Sequence, residues 1–472
     1  MALRFFNTYS RALEEFRPIA SDGRTVKMYT CGPTVYSYAH IGNFRAYLFE
    51  DLLQRHLELR GFHVRRVMNI TDVDDKTIRG CREAGVSLNE FTEPFTRAFF
   101  EDLDALRIKR ADTYPRATEE QHVRAMIAMT ERLISRGLAY EAEDKSVYFR
   151  IKNFPGYGKL AHFNLDELQS TGRVKNDEYE KEHVGDFALW KAWDEADGAV
   201  RWDSPWGPGR PGWHIECSAM STQLLGEQLD IHCGGVDNIF PHHEAEIAQT
   251  EGVTGKQFVR YWLHCAHLQV DAQKMSKSLG NFHTLRDVLA KGYTGREARF
   301  ALIRVHYRAP LNFTWEGMDE SRQALGRVDD WSARLRERSA SLSLAGSTPE
   351  QAASLRYFAE ALDDDLNISA ALGFLFETIR ETNRALDAGT LDASAARGWL
   401  EWWNRIDTVL ALTGEDTSVP PNITALVEAR AQARLAKEWR KSDELRDELA
   451  ALGWEIRDTK DGQKITKRGG AS

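Results

Sequence analysis

The sequence is poor in cysteine and has no spacing of cysteines that predicts a disulfide framework. Its 472 residues include five cysteines, an odd number scattered along a long chain. They are Cys31, Cys81, Cys217, Cys233 and Cys265. Such usage is typical of a reducing compartment, where thiols serve as metal ligands or as small apolar core residues. We therefore expect a cytoplasmic protein without disulfide bonds.

Long apolar runs, an excess of positive charge and internal repeats are also absent. No run approaches the length of a membrane span, and the first residues lack the apolar core of a signal peptide. The formal net charge is -9, so a nucleic-acid partner would need positive charge that is concentrated locally. The composition is otherwise that of a globular protein, and the length predicts about three domains.

The stretch from residue 28 to residue 43 reads as a strand, a turn and the start of a helix. An apolar, β-prone segment turns at Gly32 and Pro33, and apolar residues then recur at helical spacing. The free N–H groups of such a helix start bind phosphates. His40 and Asn43 lie at this point, where their donors could reach a triphosphate. The alternative is a histidine that is satisfied within the helix start.

A second motif, Lys-Met-Ser-Lys-Ser at residues 274–278, is followed by Leu-Gly-Asn. Its two ammonium groups, on Lys274 and Lys277, suit a mobile clamp on polyphosphate. The alternative is an exposed basic loop without a ligand.

The two motifs, in this order, resemble the paired nucleotide motifs of the class I aminoacyl-tRNA synthetases. Cys31, and Gly-Arg-Pro-Gly-Trp-His-Ile-Glu-Cys-Ser-Ala-Met at residues 209–220, narrow the resemblance to the cysteinyl-tRNA synthetases. It covers nearly the whole chain. It implies an α/β fold with a doubly wound parallel, Rossmann-like catalytic sheet and a connective-peptide insertion. An α-helical bundle and a small C-terminal α+β module would follow.

The implied organisation divides the chain into consecutive parts. These are the first half of the catalytic domain (1–116), the connective-peptide insertion (117–205), the second half of the catalytic domain with the metal site (206–262), the lysine loop and stem-contact region (263–318), the anticodon-side helical bundle (319–412) and the anticodon-recognition module (423–472).

Local patterns add expectations about single elements. Strands at 27–31 and 62–70 should flank a helix at 41–60, and helical spacing continues from residue 91 to about residue 136. Further along the chain, Pro241 fits the first turn of a new helix. Beyond residue 422, one helix is expected to carry Arg430, Arg434, Lys437 and Lys441 along one face.

An acidic loop, residues 69–76, follows the second predicted strand and should border the ligand pocket. Its carboxylates could bind a metal, but the favoured interpretation is that Thr71 or Asp72 caps the next helix. The family resemblance implies that Thr71 lies near the amino-acid substrate.

Cys31, Cys217, His242 and Glu246 offer a thiolate, imidazole and carboxylate donor set. Two sulfurs favour zinc over harder ions. From the residues alone, both cysteines could equally be buried apolar side chains. His242 and Glu246 share a helix face, and His243 should be turned by about 100° from His242. The resemblance implies that these four residues bind one zinc ion, because each matches a ligand position of the family.

The resemblance also implies the reaction: L-cysteine is adenylated with ATP and Mg²⁺ and is then transferred to tRNA(Cys). Zinc would select the substrate thiolate against the weaker serine hydroxyl. His40, Asn43, Lys274 and Lys277 would act on the phosphates. The residues expected around adenosine are Gly42, Gly234, Gly235 and Asp237, again with Lys277 at the phosphates. Trp213 and His232 would line the amino-acid pocket beside Thr71, although a core position is the alternative for Trp213.

Two departures from the family pattern involve cysteine. Cys233 replaces an expected glycine, and Cys265-Ala266 replaces an Asn-Gly pair. The C-terminal end also lacks an expected Trp-Arg pair, which weakens the anticodon assignment. Two other functions stay open: a cysteine:amino-sugar ligase of the mycothiol type, and a non-catalytic, zinc-stabilised RNA-binding homologue. Without an obvious interface motif, we expect a monomer that does not bind membranes.

Overall fold

The computed structural model describes residues 2–163, 185–276, 279–340, 348–414, 421–459 and 462–467. The chain divides into two compact units, Met1–Leu412 and Thr413–Ser472. Lys277, the second lysine of the basic motif, lies outside the described residues. Across the described ranges, no helix is both long and apolar enough to cross a membrane.

A four-stranded parallel sheet forms the centre of the first unit, which confirms the predicted catalytic fold class. In spatial order its strands are β10 (Val259–Cys265), β9 (Leu229–Gly235), β3 (Thr25–Thr30) and β4 (His63–Met68). Within β3, Tyr29 lies opposite Val67 on one side and His232 on the other. Because parallel strands end at the same edge, the residues that follow them meet there and form the pocket.

Outside its helical bundle, the first unit contains α1 (Ile41–Leu59), α2 (Asp75–Ala84), α3 (Leu88–Ala105), α4 (Glu120–Ser135), α5 (Trp213–Leu225), α6 (Glu244–Thr254), α7 (Leu285–Ala290) and α8 (Gly295–Ile303). Of these, α1 and α5 pack directly on the parallel sheet. Helix α1 buries Phe49, Leu53 and Leu57 against Val26 and Met28 of β3. Each such side chain contributes roughly 1.5–3 kcal/mol when fully buried. This packing fixes the helix start relative to the sheet edge.

The helical pattern predicted from residue 91 to about residue 136 is wrong over residues 106–119. Residues 106–119 separate α3 from α4, and part of this segment runs extended beside β4. The backbone N–H of Met68 donates to the carbonyl of Thr113 (3.1 Å), and that of Ile70 donates to the carbonyl of Pro115 (2.8 Å). Proline restricts the preceding residue to extended backbone and has no N–H to continue a helix.

A four-stranded antiparallel sheet lies between the two parts of the parallel sheet in the sequence. Its strands are β5 (Ala139–Glu141), β6 (Val147–Phe149), β7 (Phe187–Ala192) and β8 (Gly209–Pro211). Smaller sheets pair β1 (Arg4–Asn7) with β2 (Ala12–Glu15), and β11 (Leu268–Val270) with both β12 (Gln273–Lys274) and β13 (Leu311–Phe313).

A helical bundle completes the first unit. Its helices are α9 (Trp315–Ser339), α10 (Pro349–Asp363), α11 (Ile368–Asp387) and α12 (Ala393–Leu410). Trp331, Trp402 and Trp403 are buried in its core. The bundle thus has its own apolar interior, as its helical spacing predicts.

Three consecutive aspartates at the end of α10 join the bundle to the catalytic elements. Asp363 Oδ1 lies 2.9 Å from Nε2 of His56 in α1. Asp364 accepts a hydrogen bond from Arg4 (2.7 Å), and Asp365 accepts one from the Tyr307 hydroxyl (2.6 Å). Each carboxylate therefore anchors a different segment of the chain.

The second unit contains α13 (Pro421–Leu435), α14 (Trp439–Ala451) and an antiparallel hairpin of β14 (Trp454–Thr459) and β15 (Gly462–Lys467). The prediction of one helix carrying the basic residues through Lys441 is wrong. Lys437 has a left-handed φ of 60° and lies in the turn between α13 and α14. A left-handed residue cannot continue an α-helix. Arg430, moreover, is buried rather than part of an exposed stripe.

Candidate active site

Four side chains with metal-binding atoms converge where β3 ends. Cys31 follows β3, Cys217 lies in α5, His242 precedes α6, and Glu246 lies in its first turn. Their donor atoms all lie within 4.8 Å of one another. These are the four residues that the sequence proposed as one ligand set.

The distances within this group suit a tetrahedral zinc ion. With Zn–S bonds of about 2.3 Å, tetrahedral geometry places two sulfurs about 3.8 Å apart. Sγ of Cys31 lies 3.9 Å from Sγ of Cys217. Nε2 of His242 lies 3.1 Å from Oε1 of Glu246. Two zinc-bound N and O atoms are expected at a similar separation, about 3.3 Å. The donor set and its spacing therefore fit zinc.

Cys31 and Glu246 also belong to a second group, which contains His232 and His243. Nε2 of His243 lies 3.3 Å from Sγ of Cys31. Nε2 of His232 lies 2.9 Å from Oε2 of Glu246, so His232 holds the second oxygen of that carboxylate. Such an outer contact orients a ligand.

His243 lies beside the ligand set although its side chain is turned by about 100° from that of His242, as predicted. Phe240 is extended, with φ -138° and ψ 132°, but this break precedes Pro241, and His243 itself has the helical φ -68° and ψ -33°. Glu246 follows His243 by three residues and His242 by four, and residues three or four apart are neighbours on a helix. Nε2 of His243 accordingly lies 4.0 Å from Oε1 of Glu246.

Further histidines surround the group. Nδ1 of His214 lies 2.9 Å from Nδ1 of His242, which leaves Nε2 of His242 facing Glu246. Nδ1 of His243 lies 2.8 Å from His264, whose own Nδ1 lies 2.7 Å from the Thr8 hydroxyl. The imidazoles are thus oriented by one another and by the chain around them.

Trp213 is not a core residue, because 46% of its surface is exposed. Its ring stacks on the imidazole of His242, with centroids 4.4 Å apart and planes 24° apart. An exposed aromatic face therefore lies directly beside a candidate ligand.

Burial penalises the charged form of every group in the cluster. It raises the pKa of the Cys31 and Cys217 thiols and of the Glu246 carboxyl. Burial, followed by neighbouring histidines, lowers the pKa of His242, and likewise lowers the pKa of His264 to about 3. Neutral imidazoles have the lone pair that a metal needs, and a divalent cation compensates buried thiolates and carboxylate.

His40 and Asn43 form a reciprocal cap at the start of α1. The backbone N–H of Asn43 donates to Nδ1 of His40, and that of His40 donates to Oδ1 of Asn43, both at 3.1 Å. Because a backbone N–H can only donate, Nδ1 carries no proton, and the neutral ring is protonated at Nε2. His40 therefore caps the helix through Nδ1, as one sequence interpretation has it, and carries a proton on the opposite ring nitrogen; its contact with phosphate stays a prediction.

The flanks of the lysine loop contact this helix start. The N–H of Ile41 donates to the carbonyl of His283 (3.0 Å), and the His40 ring packs edge-on against Phe282 with centroids 5.1 Å apart. Within the loop, Asn281 accepts from the N–H of Ser276 (2.8 Å) and donates to the Lys274 carbonyl (3.2 Å). The two distant motifs thus lie side by side, with the Lys274 side chain exposed.

The predicted glycines allow close approach. A Cβ on Gly42 would lie 3.0 Å from Nδ1 of His40, and one on Gly235 would lie 2.3 Å from Oδ1 of Asp237. A Cβ on Gly234 would lie 2.8 Å from the His243 ring. Side chains at these positions would displace residues at the carboxyl end of β9 or at the start of α1.

Thr71 does not cap the following helix, and neither does Asp72. Asp74 caps α2 by accepting from the N–H groups of Lys76 and Thr77. Asp72 instead accepts from the N–H and hydroxyl of Thr118 (3.0 and 2.6 Å). Thr71 donates to Glu216 Oε2 (2.8 Å). Among the described residues, the acidic loop forms no metal-ligand group.

Sequence reasoning gave no role to His243, His264 or Glu216. Glu216 precedes Cys217 and is almost completely buried. A carboxylate within the apolar run Trp-His-Ile-Glu-Cys is the signal that could have identified it, because buried carboxylates require partners. The histidines could be placed only by tertiary structure.

Comparisons with known protein families match three parts of the chain. Residues 17–323 match the class I (C) tRNA synthetase catalytic domain, residues 357–412 match the DALR domain, and residues 416–465 match the cysteinyl-tRNA ligase anticodon binding domain.

Two cysteine–tRNA ligases match this sequence over nearly their whole length. The cysteine–tRNA ligase of Chlamydia trachomatis serovar A is 50% identical over 99% of this chain and 100% of its own. That of Chlamydia caviae is 49% identical over 98% of each chain.

Solved structures share the fold at low sequence identity. The methionyl-tRNA synthetase of Mycobacterium tuberculosis, in complex with methionyl-adenylate, has a TM-score of 0.61 at 16% identity, covering 82% of this chain and 89% of its own. The LeuRS–tRNA–LeuAMS complex of Agrobacterium radiobacter has a TM-score of 0.61 at 11% identity, covering 85% and 86%. The family match across the catalytic region and the near full-length identity lead to one assignment: the chain belongs to the cysteine–tRNA ligase family of class I aminoacyl-tRNA synthetases.

Proposed function

We propose that this protein attaches L-cysteine to tRNA(Cys) in two ATP-dependent steps. The cysteine carboxylate attacks the α-phosphate of ATP and pyrophosphate leaves. A terminal ribose hydroxyl of the tRNA then takes the acyl group from cysteinyl-adenylate, and AMP leaves. One observation carries the proposal: a Cys-Cys-His-Glu cluster lies at the sheet edge where β3 ends, and the chain then leads into a helix start suited to phosphate.

Cys31, Cys217, His242 and Glu246 would hold the zinc ion. When bound, zinc supplies a Lewis acid that favours a thiolate over a hydroxyl, and thus cysteine over serine. The chain itself fixes the ligands: His232 holds the Glu246 carboxylate (2.9 Å). The exposed ring of Trp213 would form one wall of the amino-acid pocket, and Thr71 would contact the rest of the amino acid.

The nucleotide motifs would position ATP, whose triphosphate arrives with Mg²⁺ as counter-ion. His40 and Asn43 would donate to phosphate oxygens at the start of α1. Lys274 and Lys277 would stabilise the charge that develops on the transferred phosphate and on pyrophosphate. The residues assigned to the adenosine side are Gly42, Gly234, Gly235 and Asp237. Because adenylation needs little covalent help, positioning and charge stabilisation supply the catalysis.

The second unit would bind the anticodon. Trp439 is 58% exposed, and the guanidinium of Arg434 lies 5.7 Å from its ring centroid. Lys437, in the turn before α14, and Arg440, in the first turn of α14, are also exposed. An exposed aromatic ring among cations is suited to stacking a base beside the phosphate backbone. A ligase for small amino-sugars would have no use for this surface, so the match of residues 416–465 to an anticodon binding domain favours tRNA.

The first experiment measures transfer of labelled cysteine to total tRNA by zinc-loaded protein with ATP and Mg²⁺. We expect label that is sensitive to ribonuclease and labile to alkali. A folded, zinc-loaded protein that charges no tRNA would contradict the proposal. Cysteine-dependent ATP–pyrophosphate exchange would then separate the two rivals, since the small-amine ligase retains exchange and the non-catalytic homologue does not.

A further inference from the structure

A buried hydrogen-bond relay joins the residues next to the two candidate cysteine ligands. The N–H of Gly32, which follows Cys31, donates to Oδ1 of Asn69 (2.9 Å). Asn69 Nδ2 donates to the Thr71 hydroxyl oxygen (3.1 Å). The Thr71 hydroxyl donates to Oε2 of Glu216 (2.8 Å), and Glu216 directly precedes Cys217.

The direction of this relay is set at Gly32. A backbone N–H can only donate, so the amide oxygen of Asn69 must face Gly32 and its NH₂ group must face Thr71. The hydroxyl oxygen of Thr71 therefore already accepts one hydrogen bond, and its only proton points to Glu216. What Thr71 can still offer a ligand is a lone pair, so it acts towards the pocket as an acceptor.

The backbone holds Thr71 rigidly in this position. Its N–H donates to the Pro33 carbonyl and its carbonyl accepts from the N–H of Val35, both at 3.1 Å. The relay is also tightly packed, because a Cβ on Gly32 would lie 1.7 Å from the Asn69 carbonyl oxygen. Thr71 is therefore pre-organised by its backbone and by its side chain.

The fixed acceptor favours a ligand that donates. Glu216 is 1% exposed and accepts the Thr71 hydroxyl proton at 2.8 Å, so the Thr71 oxygen can offer a ligand only a lone pair. An ammonium group donates to such an oxygen, whereas an ionised carboxylate has no proton to donate. The α-ammonium of an amino acid lies only two carbons from its thiol, and the relay ends next to both candidate sulfur ligands.

We infer that Glu216 is a positioning residue that acts through Thr71: it keeps the Thr71 hydroxyl an acceptor for the α-ammonium of the amino-acid substrate. This inference rests on the proposed function, in which L-cysteine is that substrate. Holding the ammonium here leaves the substrate carboxylate free to face ATP. The relay thereby selects for the amino group of the substrate, in addition to the selection for its sulfur at the zinc site.

The test uses cysteine-dependent ATP–pyrophosphate exchange with the full chain and two inhibitors. Cysteamine has the thiol and the amine but no carboxylate, whereas 3-mercaptopropionate has the thiol and the carboxylate but no amine. We expect Glu216→Gln, whose amide can donate to Thr71 and reverse its hydroxyl, to raise KM for cysteine about tenfold or more, the loss of one hydrogen bond to a charged group. Cysteamine inhibition should weaken by the same factor, and 3-mercaptopropionate inhibition should stay unchanged.

Thr71→Val breaks the relay from the other side with little change in volume, and Thr71→Ser is its matched control because it retains the hydroxyl. We expect the valine variant to behave as Glu216→Gln does, and the serine variant to keep the wild-type ratio of cysteamine to 3-mercaptopropionate inhibition, whatever its own KM for cysteine. The double variant Glu216→Gln/Thr71→Val should be no worse than Thr71→Val alone, because Glu216 acts through Thr71. Bound zinc and KM for ATP should stay unchanged throughout.

Equal weakening of inhibition by both compounds, additive increases of KM for cysteine in the double variant, or loss of zinc from Glu216→Gln would overturn the inference. Glu216 would then have a purely structural role. If Glu216→Gln does not fold, the contrast between valine and serine at Thr71 decides: an unchanged cysteamine response in Thr71→Val overturns it. Wild-type protein without any cysteine-dependent exchange would instead overturn the proposed function, and the inference with it.

Discussion

Replacing His40 separates its two roles, because one ring nitrogen caps α1 and the other carries a proton. His40→Ala removes the cap and the donor. His40→Ser removes the ring as well, but its hydroxyl can accept from the N–H of Asn43, as Nδ1 of His40 does at 3.1 Å. Serine and alanine have nearly the same size, so both variants lose the contact with Phe282 equally.

The expected magnitudes differ for stability and catalysis. A side-chain cap stabilises a helix by about 1 kcal/mol relative to alanine, so His40→Ser should be about 1 kcal/mol more stable than His40→Ala. Loss of a donor that acts on transition-state charge costs about 100-fold in rate, or about 2.7 kcal/mol. Both variants should therefore lose about 100-fold in kcat for exchange, with a much smaller change in KM for ATP.

Denaturant unfolding and ATP–pyrophosphate exchange measure the two effects on the same preparations. Equal stability of the serine and alanine variants would refute the capping role. Exchange within about threefold of wild type in either variant would refute the donor role, since that is far below the expected loss. A loss confined to KM for ATP would indicate ground-state binding only.

Four further predictions concern the metal, the lysine loop and the buried charges. Cys217→Ala should lower bound zinc and cysteine-over-serine selectivity together, measured by metal analysis and by exchange with each amino acid. Lys277→Ala should reduce the adenylation rate far more than ATP affinity, measured by single-turnover kinetics. Burial raises the pKa of Asp102 to about 6 from its ordinary 3.8, so its ionisation destabilises the fold as pH rises through that window. Asp102→Asn should therefore be stabilising near pH 7.5 and nearly neutral near pH 4, as measured by denaturant unfolding at both pH values. Arg299→Ala, which leaves the carboxylate of Asp51 buried after loss of a 2.6 Å ion pair, should cost about 3–5 kcal/mol in unfolding free energy.

Each of these predictions has a control or a contradicting result. Full zinc in Cys217→Ala would remove that residue from the ligand set, and equal losses in ATP binding and turnover would contradict the role of Lys277. A stability difference for Asp102→Asn that does not change with pH would contradict the sign derived from its pKa. Arg322→Ala breaks an ion pair in which the arginine side chain is 46% exposed and should cost below about 1 kcal/mol.

Local patterns were sufficient to predict the sheet and the helix start. The turn at Gly32 and the apolar spacing of α1 are properties of neighbouring residues, so they placed His40 and Asn43 at the start of the helix. The relation of that start to the lysine loop depends on the contact between Ile41 and His283, which are far apart in sequence. Only the family resemblance indicated it beforehand.

Periodicity fails where the backbone leaves the regular helix. Residues 106–119, part of which runs extended beside β4, interrupt the spacing of about 100° per residue on which the helical pattern from residue 91 was predicted. The bond between Thr71 and Glu216 spans 145 residues, and no spacing rule connects such positions. The ligand set could be proposed from the family resemblance and the residue types, but the contacts that orient it could not.

Helix α1 connects two distant parts of the first unit as one rigid rod. It begins at the His40 cap, and near its other end His56 binds Asp363 of the helical bundle (2.9 Å). Its 19 residues span about 28 Å at 1.5 Å per residue. A tilt of one degree about the Asp363 anchor moves the His40 end by about 0.5 Å over that length. A small rotation of the bundle would thus move the helix start at which we propose that ATP binds, so the geometry at the aspartate anchor would set the precision of the proposed nucleotide site.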